Sequence, residues 1–140
     1  MMTHTTNYRD TFICVAPDCK VTNGVVPPQK EDKISAAYLQ YEIISRNPYK
    51  YTSDDVFFMV HAAKQDLPPV LWESERAKFF SKPQACFRAS ALAKQYGWGI
   101  HSNSDGKVAL YGRETEAYQK FMDDSNSAVI PALRSQRQSA

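Results

Sequence analysis

Long apolar runs are missing from this chain. None approaches the roughly 20 residues that carry a helix across a bilayer, so no membrane span is expected. The opening, MMTHTTNYRD, is polar and lacks the apolar core of a secretory signal, so no signal peptide is expected either. Cysteine is scarce and odd in number: Cys14, Cys19 and Cys86. Without a secretory signal this argues for reduced thiols in a cytoplasmic protein. Cys14-x4-Cys19 has no second cysteine or histidine pair at zinc-finger spacing, which argues against a metal site. Walker, GxGxxG, HExxH and GxSxG motifs are absent, and with them the usual sequence grounds for expecting a cofactor. No internal repeat is present. A formal net charge of +2 is too small to imply nucleic acid, which is the disfavoured partner.

What is there suffices for one core. Hydrophobic residues make up 43% of 140 residues, which favours a single domain that needs no metal or disulfide staple. TFICVA (11–16) is a β-branched and aromatic strand stopped by Pro17-Asp18. Residues 18–33, with Asn-Gly and Pro-Pro, read as a long loop. Ile34, Ala37, Tyr38, Tyr41 and Ile44 then recur at helical spacing over 34–45, and Asn47-Pro48 ends that helix. Thr52 and Ser53 are candidate N-caps of a second helix, with Asp54 and Asp55 in its first turn and Val56, Met59, Val60 and Ala63 as its inward stripe. WESERAKFF (72–80) reads as a third, short helix.

A fourth helix is expected over 83–96. Ser81-x-x-Gln84 has capping-box spacing, Pro83 suits a first turn, and Gly97 supplies the stop. Two strands flank Ser104-Asp105-Gly106, where Asp-Gly signals a hairpin. ETEAYQKFMDD (114–124) completes the series as a helix. The strands are grouped rather than alternating with helices. The expected fold is therefore α+β: a small antiparallel sheet of the N-terminal strand and the C-terminal hairpin, one face covered by about four to five helices. The domain is set at 8–124, with 1–7 and 125–140 as flexible termini.

Another absence points to a site. From 76 to 104 there is no acidic residue, while Arg76, Lys78, Lys82, Arg88 and Lys94 fall there among Phe79, Phe80, Phe87, Tyr96 and Trp98. A helix start beside Lys82 would suit an anion. Arg88 offers a planar fork for carboxylate or phosphate, Gln84 a directional hydrogen bond, and Trp98 a stacking face. The bland alternative is a solvated helix face whose acids lie on neighbouring elements. Cys86 with His101 as base would make a nucleophile pair, against which stands Cys86 as a small buried hydrophobe and His101 as a neutral strand histidine. His61 is the weaker histidine. Trp98 between two glycines reads either as a buried residue at a tight turn or as a face cleared for a ligand.

Taken in order, TFICVAPDC, VPP, LQYE, NPYKYTSDDVFF, FFSKPQACFRAS and YGWGIHSNSDGKVALY resemble an uncharacterised family, the domain of unknown function 6157, over residues 8–120. The family pattern matches at Lys82, Gln84, Cys86, Arg88, Ser90, Tyr96, Trp98 and His101. It departs at Pro83, where glycine is common, and at Phe87, where leucine is. The resemblance implies a single domain and carries no activity. The expected function is binding of a small anionic ligand or partner through Lys82, Gln84, Arg88, Trp98 and His101. The alternatives are a thiol or acid–base enzyme using Cys86 and His101, and a nucleic-acid or protein interaction module.

Overall fold

A computed structural model describes residues 4–29, 34–124 and 127–135. The elements in chain order are β1 (Thr11–Cys14), α1 (Ala36–Arg46), α2 (Ser53–Lys64), α3 (Trp72–Phe79), α4 (Ala91–Lys94), β2 (Trp98–Ser102), β3 (Val108–Gly112), α5 (Glu116–Asp123) and β4 (Ala128–Pro131). Short 3-10 turns precede α3 and α4. The fold is α+β, with a four-stranded sheet in the order β3-β2-β1-β4.

The first strand does pair with the C-terminal hairpin. Phe12 lies opposite His101 in the antiparallel β1–β2 ladder, and Ile100 lies opposite Leu110 in β2–β3. The Asp-Gly turn is made by Gly106 at φ +78, the left-handed region that glycine enters freely. Two expectations are corrected. The sheet is mixed rather than antiparallel, because β4 runs parallel to β1, with Phe12 opposite Val129. The helix α5 between β3 and β4 is the crossover that returns the chain in the parallel sense.

The sheet is also covered on both faces, not one. Successive strand residues point to opposite faces, yet Phe12 and Ile13 are both fully buried. Ile13 joins Ile44, Val56, Val60, Phe87 and Ile100 under α1 and α2. Phe12 faces α5, edge-on to Tyr118 and stacked on Phe121. Tyr118 Oη also accepts the Val15 N–H at 2.9 Å, which ties α5 to the strand.

Both long helices begin where the sequence places them. Ser35 Oγ accepts the Tyr38 N–H at the start of α1. Thr52 and Asp55 form a reciprocal capping box at the start of α2. The inward set of α2 differs from the expected stripe: Val56 and Val60 are buried, but so are Phe58 and Ala62, while Ala63 is exposed. The reason is α3, whose Trp72 and Phe79 cover a second flank of α2 through Phe58.

The packed structure extends beyond the boundaries at 8 and 124. Thr6 is buried, and its N–H and hydroxyl both donate to Asp54 Oδ1 at 2.7 Å. His4 N–H donates to the Phe80 carbonyl. At the other end β4 adds the fourth strand. Residues 1–3, 125–126 and 136–140, also assigned to the termini, lie outside the described residues.

Two glycines flank Trp98 for different reasons. Gly97 sits at φ +77 and turns the chain from α4 into β2. Gly99 lies against the rings of Phe12 and Tyr118, and any Cβ there would overlap both. Gly99→Ala should therefore lower unfolding free energy by about 1–3 kcal/mol in urea denaturation, and a change within experimental error would contradict this packing.

Candidate functional site

The segment 79–91 does not form the expected helix. Ser81 Oγ donates to the Lys78 carbonyl at 2.6 Å, closing the end of α3 rather than capping a new helix. Gln84 Nε2 donates to the Phe79 carbonyl at 2.8 Å and strengthens the same stop. Pro83 pushes Lys82 away from helical geometry. The chain runs without regular structure through 83–86, makes a 3-10 turn at Phe87–Ala89, and becomes helical only at Ala91, where Ser90 Oγ caps by accepting the Leu92 N–H. No helix N-terminus therefore lies beside Lys82.

Irregular backbone in this position leaves a cavity of about 370 Å³ between α1, α2 and the 79–91 segment. Its walls are largely apolar, from Ala36, Ala37, Phe57 and Val60, with Cys86, Gln84 and His61 as polar or reactive edges. His61, Phe79 and Gln84 also line an outer recess with Glu75, Lys78, Ser81 and Lys82. An apolar chamber thus has a basic rim. Lys78 is drawn to Glu75 at 3.5 Å, while Lys82 is exposed with no ion pair among the described residues.

The floor carries the most informative group. Gln40 is 6% exposed and borders the cavity. Its Oε1 accepts from Ser90 Oγ at 2.6 Å, and its Nε2 makes no hydrogen bond among the described residues. Nε2 is not among the sealed, unpartnered atoms of the structure, so at the cavity lining it stays open to water or to a molecule that enters. Sequence reasoning passed over Gln40, although the signal exists. Ala37, Gln40 and Ile44 fall at helical spacing on the buried side of α1, and a polar residue inside such a stripe needs a partner.

At the cavity edge, Cys86 Sγ lies 3.3 Å from Tyr8 Oη. Burial and the Cys86 thiol together raise the Tyr8 phenol above its ordinary range. His61 packs its ring on Phe79 at 4.7 Å, and neither ring nitrogen has a hydrogen-bond partner among the described residues.

The expected site residues therefore divide. Lys82, Gln84 and Cys86 gather at this cavity and its rim. Arg88 Nε donates to the Pro131 carbonyl at 2.8 Å, and its own carbonyl accepts the Leu133 N–H, so it secures the end of β4. Trp98 donates from Nε1 to the Val25 carbonyl and packs on Tyr41 at 5.4 Å. His101 is on the α5 side of the sheet, stacked on Phe121 at 4.2 Å. It makes no hydrogen bond with Cys86. A larger groove of about 630 Å³ lies between α1 and α2, lined by Leu39, Ile43, Met59 and Trp72. Among the described residues no buried polar group without a partner faces it.

Around His101 a second polar cluster forms. Tyr49 Oη lies 2.9 Å from His101 Nδ1 and 2.8 Å from Tyr111 Oη. Tyr49 occupies φ +58, a conformation that costs a bulky residue roughly 1–2 kcal/mol. Burial, reinforced by the Tyr111 hydroxyl, raises the Tyr49 phenol. Burial lowers the His101 imidazole, with Asp10 and Asp124 partly opposing it.

A family model described as a family of unknown function (DUF6157) matches residues 3–138, and the chain belongs to that family. No curated protein and no solved structure matches the chain.

His101 sets a pH dependence. Its folded pKa is lowered, so as the pH falls the unfolded chain takes up this proton first. Its contribution to stability is complete above the ordinary histidine value of about 6.5 and is lost as the pH falls from there toward the lowered folded value. Between about pH 7.5 and about pH 5.5, wild type should lose more unfolding free energy than His101→Gln; equal losses in the two proteins would contradict it.

Proposed function

We propose that this member of the DUF6157 family binds a small anionic molecule with an apolar body in the cavity between α1, α2 and residues 79–91. The carrying observation is an apolar chamber floored by Gln40, whose Oε1 is held by Ser90 and whose Nε2 has no protein partner among the described residues and is not sealed from solvent. A ligand acceptor at Nε2 would satisfy that donor, and the apolar walls would take the body of the molecule. The anionic end would face outward to Lys82, with Lys78 adding charge beyond its contact with Glu75.

Lys82 keeps its expected place at the rim, Gln84 lines the cavity with its Nε2 already given to the Phe79 carbonyl, and Gln40 replaces Arg88 as the directional anchor. Trp98 and His101 drop out of this site, since each is engaged elsewhere. An enzyme built on Cys86 and His101 has less support, because the two groups contact different partners on different sides of the sheet. A nucleic-acid or protein module has less as well. Arg76 is paired with Asp55 at 2.8 Å and Arg88 is turned to a carbonyl, which breaks up the cationic stripe.

A thermal-shift panel of short aliphatic and aromatic carboxylates tests the reading. At least one should raise the melting temperature of wild type. Gln40→Met should weaken that binding by about 2 kcal/mol, and Lys82→Ala by roughly 1 kcal/mol or less. A panel in which no carboxylate stabilises wild type more than Gln40→Met ends the proposal.

A further inference from the structure

The apolar chamber and the basic recess outside it meet at one side chain that can change its charge. His61, Phe79 and Gln84 line both spaces, the inner of about 370 Å³ and the outer of about 490 Å³. Phe79 has no polar side-chain atom, and Gln84 gives its Nε2 to the Phe79 carbonyl. His61 is half-buried, and both of its ring nitrogens are without a hydrogen-bond partner among the described residues. We infer that His61 reads the acid group of the ligand: the site takes a monocarboxylic acid whose carboxylate lies between His61 and Lys82, and binding draws a proton onto the imidazole. This rests on the ligand reading above and names its substrate class and its dependence on pH.

An acid with an apolar body divides along the same boundary as the walls. Ala36, Ala37, Phe57 and Val60 lie on the inner side, and Lys78, Ser81 and Lys82 on the outer. The carboxylate of a molecule whose body fills the chamber therefore comes to the shared wall. There the His61 ring is held by Phe79 at 4.7 Å and by Phe58 at 6.1 Å. A carboxylate has two oxygens to satisfy, and His61 and Lys82 can supply a donor to each. Glu75 also lines the recess, but it lies 3.5 Å from Lys78 and offsets that cation rather than Lys82. The chamber corresponds to roughly a dozen water-sized groups, which suits a body of that order in non-hydrogen atoms.

Histidine is the side chain that ordinarily changes charge between about pH 8 and about pH 5. A carboxylate against an imidazole favours its charged form. At the alkaline end the free imidazole is neutral, so binding takes up a proton. Affinity rises as the pH falls and levels off once the free imidazole is itself charged. The other charged groups around the junction are Glu75 and Lys78 from α3, Lys82 from the segment after it, and Lys64 one turn further along α2. Lysine and glutamate do not ordinarily titrate in that range. His4, whose Nε2 lies 2.9 Å from the Gln84 carbonyl, and Cys86, bonded to Tyr8 within the chamber, are the neighbours that need a control.

Calorimetric titration of the full chain with octanoate and 4-phenylbutyrate, each beside its primary amide, tests the inference. It is run from about pH 8 to about pH 6 in buffers of different ionisation enthalpy, which reports proton uptake. Wild type should bind at least one acid on the order of tenfold more tightly at the acid end, with proton uptake at the alkaline end. The matching amide should show no such slope. His61→Gln keeps an N–H donor and His61→Phe keeps a ring against Phe79; neither can ionise, and both should lose the slope and the proton uptake. His4→Gln and Cys86→Ser should keep them. A flat wild-type profile, a slope that survives in His61→Gln or His61→Phe, or a slope lost in His4→Gln overturns the inference. If the acid still binds wild type more tightly than Gln40→Met, the ligand reading stands without it. No binding of either acid also overturns the inference, and the ligand reading falls with it when the whole carboxylate panel fails.

Discussion

Everything in this fold hangs on one strand that is dry on both sides. β1 is four residues long, yet Phe12 and Ile13 point to opposite faces and neither meets solvent. Fully burying side chains of this size contributes about 1.5–3 kcal/mol each. That is possible only if both faces carry a layer and both edges carry a strand. β2 and β4 occupy the edges of β1, α1 and α2 take the Ile13 face, and α5 takes the Phe12 face. The glycine at 99 follows from the same demand, because the Phe12 and Tyr118 rings occupy the space a side chain would need.

The cavity is a consequence of how the Ile13 layer closes. Phe87 is fully buried in that layer and lies 4.5 Å from the Phe57 ring, while Phe80 is buried against the α2–α3 cluster. Both anchors hold while α3 stops at Phe79 and Pro83 keeps the next residues out of a helix. The chain between them spans the gap in irregular form and leaves space over α1. Ser90 then performs two tasks with one oxygen, capping α4 and fixing Gln40. Ser90 and Gln40 link the turn into α4 with the floor of α1, so the polar floor is built from two separate stretches of sequence.

Most of the elements could be read from the sequence because their signals are local. Thr52 and Asp55 cap what their spacing says they cap, and Asp-Gly makes the hairpin it promises. β4 was not legible. It is four residues ending in proline, half exposed, and it exists as a strand because β1 has an open edge beside it. The helix over 83–96 failed for a related reason. Its capping signal was genuine chemistry, but Ser81 and Gln84 had carbonyls of α3 within reach and bonded backwards instead of forwards. Among the site residues, Lys82, Gln84 and Cys86 were identified and do share a neighbourhood. Gln40 was passed over because α1 was read by its apolar positions alone.

The acid-free segment shows why charge along a sequence is a poor map of charge in space. Arg76 meets Asp55, a residue of the first turn of α2, and Lys78 meets Glu75 from just outside the segment. Arg88 spends its Nε on a backbone carbonyl of β4. Three of the five cations are thus engaged by groups outside the acid-free segment. Surface pairs of this kind are worth roughly 1 kcal/mol or less, but they decide where positive charge remains available. Lys78 and Lys82 are both exposed on the cavity rim, and of the two Lys82 has no ion pair among the described residues. One lysine in water selects weakly on its own, so on the proposed reading specificity would come from the apolar end of the cavity, beside Gln40.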